Sequence, residues 1–395
     1  MNKESYIIIG NGAAGFYAAD RVREKNKNCS ITIISTEKEI SYYRPSLSSY
    51  LSKDRLEDTF YLAKENWYKE NNIDLMLGRS VEFIDTENKK IVFEDEEFIF
   101  YNKLILANGS HNFIPPIPDK DKKGVFSLKS LCDAEEIKSY AKDCKKAIVI
   151  GGGLLGLEAA WDLQKSGLKV TVVEFFERLL PKQLDERGSE LFKSSVEKSG
   201  VEFILGDSLQ EIMGDGKITG AKLKSNKILD ADLLLFSVGI RPNKELASKS
   251  CISTNNGVIV NDKMETNIKD VYACGDVAEL NGRIYGTWPA AVKMGKVAGE
   301  NATGGNEVFE DFVPTLAFTS MNARVFSCGT CNDNFEQFSY ENPEKGTYYK
   351  YFFKDNKLCG AMLLGNITLS SKINNWIKKE YTKEQVLSEA KNHLI

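Results

Sequence analysis

Tyr6-Ile7-Ile8-Ile9-Gly10-Asn11-Gly12-Ala13-Ala14-Gly15 begins the ordered pattern of the chain. Ala147-Ile148-Val149-Ile150-Gly151-Gly152-Gly153-Leu154-Leu155-Gly156 repeats it about 140 residues later. Each is an apolar, β-branched strand running into a G-x-G-x-x-G turn. Each then opens an alanine- or leucine-rich helical run, residues 16–22 and 157–163. A second strand completes each unit, residues 30–34 and 169–173. The first glycine makes the tight strand-to-helix turn, the second lets backbone approach a pyrophosphate, and the third lets helix and strand pack closely. The helix N-terminus then offers free N–H groups and a positive dipole end to the phosphates. Two such sites in one chain imply two dinucleotides that meet and exchange electrons.

The residue after each second strand selects the ligand. Glu174 follows Val170-Thr171-Val172-Val173, about 20 residues past its fingerprint, where an acid hydrogen-bonds an adenosine ribose. A carboxylate there repels a 2′-phosphate, so NADH is expected over NADPH; Arg178 comes a full turn too late to clamp that phosphate. In the first unit the strand leads to Ser35-Thr36-Glu37. Glu37 is the ribose candidate, with Ser35 or Thr36 as the alternative.

At 395 residues the chain is too long for one core, and about three domains are expected. A net charge of −4 leaves no nucleic-acid footprint. No charged-then-apolar leader precedes Tyr6, and the apolar run 233–238 is far too short to span a bilayer, so a cytoplasmic protein is expected. The eight cysteines are scattered and do not suggest a disulfide framework. One pair, Cys328-Gly329-Thr330-Cys331, is spaced like a redox dithiol. It lies far from both fingerprints, after an apparent strand, and reads as a strand end running into a glycine turn. The two histidines, His111 in a loop before Pro115-Pro116 and His393 near the terminus, point away from imidazole acid–base catalysis. Hydride transfer between cofactors needs none, because the protein then contributes orientation.

The first unit ends at the strand 103–107, closed by Asn108-Gly109; Pro115, Pro116 and Pro118 mark a linker. The second closes in the same way, residues 231–238 leading to Gly239-Ile240-Arg241-Pro242-Asn243, so the chain is internally duplicated. The short run Val271-Tyr272-Ala273-Cys274-Gly275-Asp276 is assigned back to the first unit's sheet. From Phe309 onward the pattern changes to alternating aromatic strands (347–353, 358–364), then a helical stretch carrying Ile373, Trp376, Ile377 and Tyr381. These aromatics read as core or interface.

Taken together, the two fingerprints, Ala107-Asn108-Gly109, Gly239 with Pro242-Asn243, and Ala273-Cys274-Gly275-Asp276 resemble the two-dinucleotide flavoprotein reductases. That family is similar to glutathione reductase in fold. The resemblance implies an α/β architecture of two Rossmann-like domains plus a small α+β C-terminal domain. Residues 1–111 and 245–308 would bind FAD, 112–244 NADH, and 309–395 would form an interface domain. The implied FAD contacts are Gly10, Gly12, Ala13, Ala14, Gly15, Glu37, Ser49, Val81, Ala107, Asn108 and Gly109. Arg44 would reach the flavin nucleotide, Asp276 the ribityl chain, and Pro45 and Trp288 the isoalloxazine. The implied NADH contacts are Gly151, Gly153, Leu154, Leu155, Gly156, Glu174 and Gly239, with Glu158 flanking the nicotinamide. No metal is implied.

Departures from sister branches narrow the activity. Disulfide reductases carry a cysteine pair after the first β-unit, whereas this chain has no cysteine between Cys29 and Cys132. Where monothiol relatives place a cysteine, Ser49 stands. The turn Arg44-Pro45-Ser46-Leu47-Ser48 looks like the ferredoxin and rubredoxin reductase branch, with Ser49 replacing a frequent lysine. The C-terminal Gly360-Ala361-Met362-Leu363-Leu364-Gly365 looks most like the bacterial NADH:rubredoxin oxidoreductases, and also like the flavoprotein segment of nitrite reductase large subunits. The expected activity is therefore NADH oxidation with single electrons passed to rubredoxin. The alternatives are a ferredoxin, oxygen, or an NADH-sensing binding role. Rubredoxins are acidic, and Lys372, Lys378, Lys379 and Lys383 are the candidate docking patch, Lys379 and Lys383 sharing a helix face by i,i+4 spacing. The oligomeric state is not readable.

Overall fold

A computed structural model describes residues 3–391. The first fingerprint strand, Ser5–Ile9, is the centre of a five-stranded parallel sheet. Across that sheet the order is Val271–Ala273, Lys103–Leu106, Ser5–Ile9, Ser30–Ser35, Ile73–Leu77. Buried on both faces, these strands are nearly continuous Ile, Leu and Val. The helix Ala13–Lys25 returns across the sheet, and Trp288–Ala302 packs along it. Gly295 and Gly299, one turn apart, permit that approach: a Cβ on Gly295 would lie 2.3 Å from the Ala14 carbonyl oxygen. A three-stranded antiparallel sheet, Val81–Asp85, Lys90–Phe93 and Phe98–Phe100, is appended.

The second unit has the same strand order: Val125–Ser127, Leu233–Phe236, Lys146–Ile150, Lys169–Glu174, Glu202–Leu205, all parallel. Its edge strand precedes the fingerprint in sequence, whereas the first unit's edge strand comes 165 residues after Leu106 (271 − 106). Ser110–Asn112 and Ile240–Pro242, which leave the two sheets, pair antiparallel and tie the units together.

The third unit is an antiparallel sheet in the order Thr315–Ser320, Ala323–Gly329, Lys357–Leu364, Thr347–Lys354, Glu336–Asn342. Thr347–Lys354 is buried on both faces because it serves two cores. Tyr349, Tyr351 and Phe353 pack with Ile373, Trp376 and Val386, while Tyr348 joins Phe318, Val325 and Leu364 against the second unit.

The C-terminal stretch departs from the sequence expectation of one helix. It divides into Ser370–Lys378 and Lys383–Ala390, and the second starts at a Thr382 capping box with Gln385. Lys379 and Lys383 therefore share no helix face. Lys383 is paired with Glu336 at 2.7 Å and Lys372 with Glu389 at 3.7 Å. Among the described residues no helix is long and apolar enough to cross a membrane. His393 lies outside the described residues.

Candidate functional site

A cavity of about 920 Å³ opens at the C-terminal ends of the first sheet's strands, where ligands of open α/β sheets bind. Gly10, Gly12, Ala13 and Ala14 form its floor. The three glycines divide the work. Gly10 has φ +111°, and a Cβ there would lie 2.2 Å from the Ala107 carbonyl oxygen. On Gly15 it would lie 1.9 Å from the Gly10 carbonyl oxygen, so Gly15 is where the helix packs on the turn and strand and is not on the cavity wall. On Gly12 it would meet only Arg44 Nε at 3.9 Å, which leaves the backbone bare where a pyrophosphate would approach.

Glu37, Val81, Ala107, Asn108 and Gly109 also line the cavity, as do Ser35 and Thr36. Glu37 accepts from Tyr42 Oη at 2.6 Å and from Arg44. Arg44 donates as well to the Lys129 carbonyl at 2.8 Å. Asp276 accepts from Ser110 Oγ at 2.7 Å and stands 3.5 Å from Lys129 Nζ. Pro45 and Trp288 border the opening, with Tyr43 in edge contact with Trp288 (centroids 4.8 Å apart).

Ser49 lies off this wall. In the helical turn Leu47–Tyr50 its hydroxyl bonds back to the Ser46 carbonyl, and the turn's rotation presents Ser48 instead. Ser48 Oγ donates to Glu158 at 2.9 Å, joining the first unit's cavity wall to the second unit's helix Leu154–Lys165. Burial raises the Glu158 carboxyl above its ordinary value.

Sequence reading missed Lys129. Its ammonium donates to Ser110 Oγ at 2.7 Å on the cavity wall, and burial lowers its pKa. The signal was present: Lys129 immediately precedes a Ser130…Asp133 capping box, which fixes a helix start and the residue before it. His111 is on the rim, its Nδ1 2.7 Å from Asn243 Oδ1.

The second fingerprint has the same glycine geometry. A Cβ on Gly151 would lie 2.2 Å from the Ser237 carbonyl oxygen and on Gly156 2.0 Å from that of Gly151, whereas Gly153 has nothing within 4 Å. Leu155 and Gly239 reach the cavity, Leu155 as an exposed side chain. Leu154 is half-buried at the helix start and off the wall. Glu174 is buried at the end of its strand; its Oε2 accepts from the Gly152 N–H at 2.5 Å and Oε1 from the Phe176 N–H at 2.9 Å.

No cysteine lines the cavity. Cys274 is fully buried and pushed up to about 12. Cys328 contacts Thr315 and Asn374, while Cys331 faces Ser327 and Ala361. Burial raises both thiols, Cys331 to about 12, so neither is a thiolate at neutral pH. No cluster of potential metal ligands occurs among the described residues.

The donor set fits a flavin dinucleotide. Asn108 Oδ1 and Asn112 Nδ2 are buried without partners on the cavity wall, and Gly12 leaves a cradle that a side chain would fill.

Comparison with known proteins agrees with this geometry. The family described as pyridine nucleotide-disulphide oxidoreductase matches residues 4–295, and the rubredoxin NAD+ reductase C-terminal domain matches residues 314–381. The chain is 32% identical over 388 residues to the NADH-rubredoxin oxidoreductase of Clostridium acetobutylicum, covering 98% of each. A crystal structure of NADH:rubredoxin oxidoreductase from that organism superposes with a TM-score of 0.82, over 98% of this chain and all of the other. It is also 36% identical over 384 residues to a nitrite reductase [NAD(P)H] of Bacillus subtilis. The match takes 96% of this chain and 48% of that protein, so the chain spans about half that relative's length.

Proposed function

The chain belongs to the pyridine nucleotide-disulphide oxidoreductase family, and from that premise we propose a flavoprotein reductase that oxidises NADH and passes single electrons to rubredoxin. FAD and NADH are its cofactors. FAD supplies the hydride-accepting ring and the conversion from two-electron to one-electron transfer. The chain's residues supply placement. The Gly12 turn and the N-terminus of Ala13–Lys25 receive the FAD pyrophosphate, Asp276 the ribityl chain, and Glu37 or its neighbours Ser35 and Thr36 the ribose. Lys129, half-buried on the cavity wall with Asp276 3.5 Å away, adds a positive charge beside that carboxylate. At the second fingerprint the Gly153 turn receives the NADH pyrophosphate and Glu174 its ribose. Ser48 and Glu158 close the seam where the two ligands would meet.

One observation carries the choice of acceptor: the cavity has no thiol. Reducing equivalents that do not pass to a disulfide relay leave the flavin directly to an external acceptor. The third unit's match to a rubredoxin NAD+ reductase C-terminal domain supports rubredoxin as that carrier. The nitrite reductase relative favours a second reading, an electron-supplying segment for a nitrite-reducing partner.

The test is anaerobic reduction by NADH followed by mixing with rubredoxin, ferredoxin or air. Rapid reoxidation by rubredoxin is expected. Reoxidation by rubredoxin no faster than by air would refute that acceptor, and absence of flavin reduction by NADH would refute the reductase itself.

A further inference from the structure

We propose that Phe175 and Phe176 form the platform on which the adenine ring of NADH stacks, so that they set affinity for the adenosine half of the nucleotide. The proposal deepens the reading of Glu174 as the ribose acid and rests on it.

The strand Lys169–Glu174 ends with its carboxylate buried, and the next two side chains are phenylalanines left 67% and 50% exposed. They touch one another edge to face, centroids 5.4 Å apart at 79°. Isolated exposed apolar residues are ordinary on a protein surface. An adjoining aromatic pair beside a ligand-binding acid is a patch with an address.

The backbone beneath the pair is fixed. The Phe176 N–H donates to Glu174 Oε1 at 2.9 Å, and the Phe176 carbonyl accepts from Gly206 N–H at 3.0 Å. The Glu174 carbonyl accepts from Asp207 N–H at 3.1 Å. The same peptide unit thus orients the carboxylate and carries the ring. In an adenosine the base leaves from the sugar carbon next to the 2′-hydroxyl. A ribose held by Glu174 therefore places its base within one sugar width of these side chains.

Phe98 and Phe100 form another exposed aromatic pair, 5.5 Å apart, but no ligand-binding group adjoins them. A purine stacked on an aromatic ring is worth roughly tenfold to a hundredfold in affinity.

The experiment uses the FAD-loaded enzyme and the variants Phe175→Ala, Phe176→Ala and the double. ADP-ribose, which keeps adenosine, pyrophosphate and the second ribose and lacks only the nicotinamide, is titrated calorimetrically. Steady-state constants are taken for NADH and for reduced nicotinamide mononucleotide, which lacks adenosine. The double variant should lose about tenfold or more in ADP-ribose affinity and raise KM for NADH alike. Its kcat, and kcat/KM for the mononucleotide, should be unchanged, and Phe→Tyr at both positions should restore wild-type values. Unchanged ADP-ribose affinity in the double variant overturns the platform while leaving the Glu174 site standing. Failure of wild-type protein to bind ADP-ribose overturns both. Parallel losses with NADH and the mononucleotide, or a wild-type dimer that dissociates in the double variant, would assign the pair to folding or self-association and overturn it too.

Discussion

Alanine substitution along the first fingerprint should separate folding from ligand binding. At Gly10 the added Cβ would stand 2.2 Å from the Ala107 carbonyl oxygen with the backbone at φ +111°. Contacts that short require backbone movement, and overpacking plus the left-handed conformation costs about 2–5 kcal/mol. At Gly15 the 1.9 Å approach to the Gly10 oxygen demands a similar shift, at about 1–3 kcal/mol or more. At Gly12 the nearest atom is Arg44 Nε at 3.9 Å, with φ −83°, so alanine should change stability by no more than about 0.5 kcal/mol. It stands, however, where the pyrophosphate must meet bare backbone. Loss of one charge-assisted hydrogen bond costs about 1.5–3 kcal/mol, roughly tenfold to a hundredfold in FAD affinity. Gly12→Val should give folded, colourless protein. Urea denaturation of the apoproteins and calorimetric FAD titration measure the two effects separately. Normal FAD affinity in Gly12→Val, or undiminished stability in Gly10→Ala, would refute the division of labour. The matching series in the second unit should move NADH binding at Gly153 while leaving FAD content intact.

NADH should exceed NADPH in kcat/KM by about 2–4 kcal/mol, roughly thirtyfold or more. Glu174→Gln, which keeps one acceptor oxygen for either the Gly152 or the Phe176 N–H and sets its amide NH2 against the other, should narrow that margin; equal kcat/KM in wild type would show that Glu174 does not face the ribose. Cys328→Ser/Cys331→Ser should leave NADH-dependent rubredoxin reduction near the wild-type rate, and a large loss with FAD still bound would establish a dithiol role. Glu158→Gln should show a stability advantage that grows with pH. Burial raises the folded carboxyl above 4.5, so wild-type stability falls as pH rises from about 4.5 and levels off above the folded pKa, whereas glutamine does not titrate; parallel pH–stability curves would refute this. Lys378 and Lys379, which have no ion pair among the described residues, should carry whatever steering an acidic carrier feels. Rubredoxin reduction should then slow as ionic strength rises to about 0.15 M, where the Debye length is about 8 Å, and a rate flat with salt, or unchanged in Lys378→Glu/Lys379→Glu, would remove this surface.

Features written by local backbone chemistry were legible in the sequence. The fingerprint turns need glycine for φ and for close approach, and the duplicated strand–turn–helix pattern announces two sheets. The aromatic alternation after Phe309 announces a third. Features set by rotation within a short helix, or by distant pairing, were not. Ser48 rather than Ser49 faces Glu158 because of where the turn Leu47–Tyr50 starts. Lys129 reaches Asp276 across 147 residues of sequence. The lysine patch failed as a spacing argument because Thr382 caps a new helix between Lys379 and Lys383. Charge spacing carries meaning only inside one uninterrupted helix.

The geometry also shows why so little side-chain chemistry is needed. Ligands of open α/β sheets sit at the carboxyl ends of the strands, and both sheets end at a glycine: Gly109 and Gly239. The strands that follow, Ser110–Asn112 and Ile240–Pro242, pair with Ser110 opposite Pro242. Asn108 and Asn243 exchange reciprocal amide-to-carbonyl bonds at 2.7 Å beside them. The two sheet ends are thereby fixed to each other by backbone, and Ser110 passes that rigidity to Asp276 and Lys129. Orientation of two bound reactants is itself a large part of a rate, worth about 7–11 kcal/mol in favourable cases. A scaffold that sets the meeting point through peptide pairing requires no thiol at the seam. The constraint ends at the cavity mouth, where Tyr43, Pro45 and Trp288 meet solvent. On the proposed reading, acceptor choice rests with the surface beyond that mouth and with the third unit.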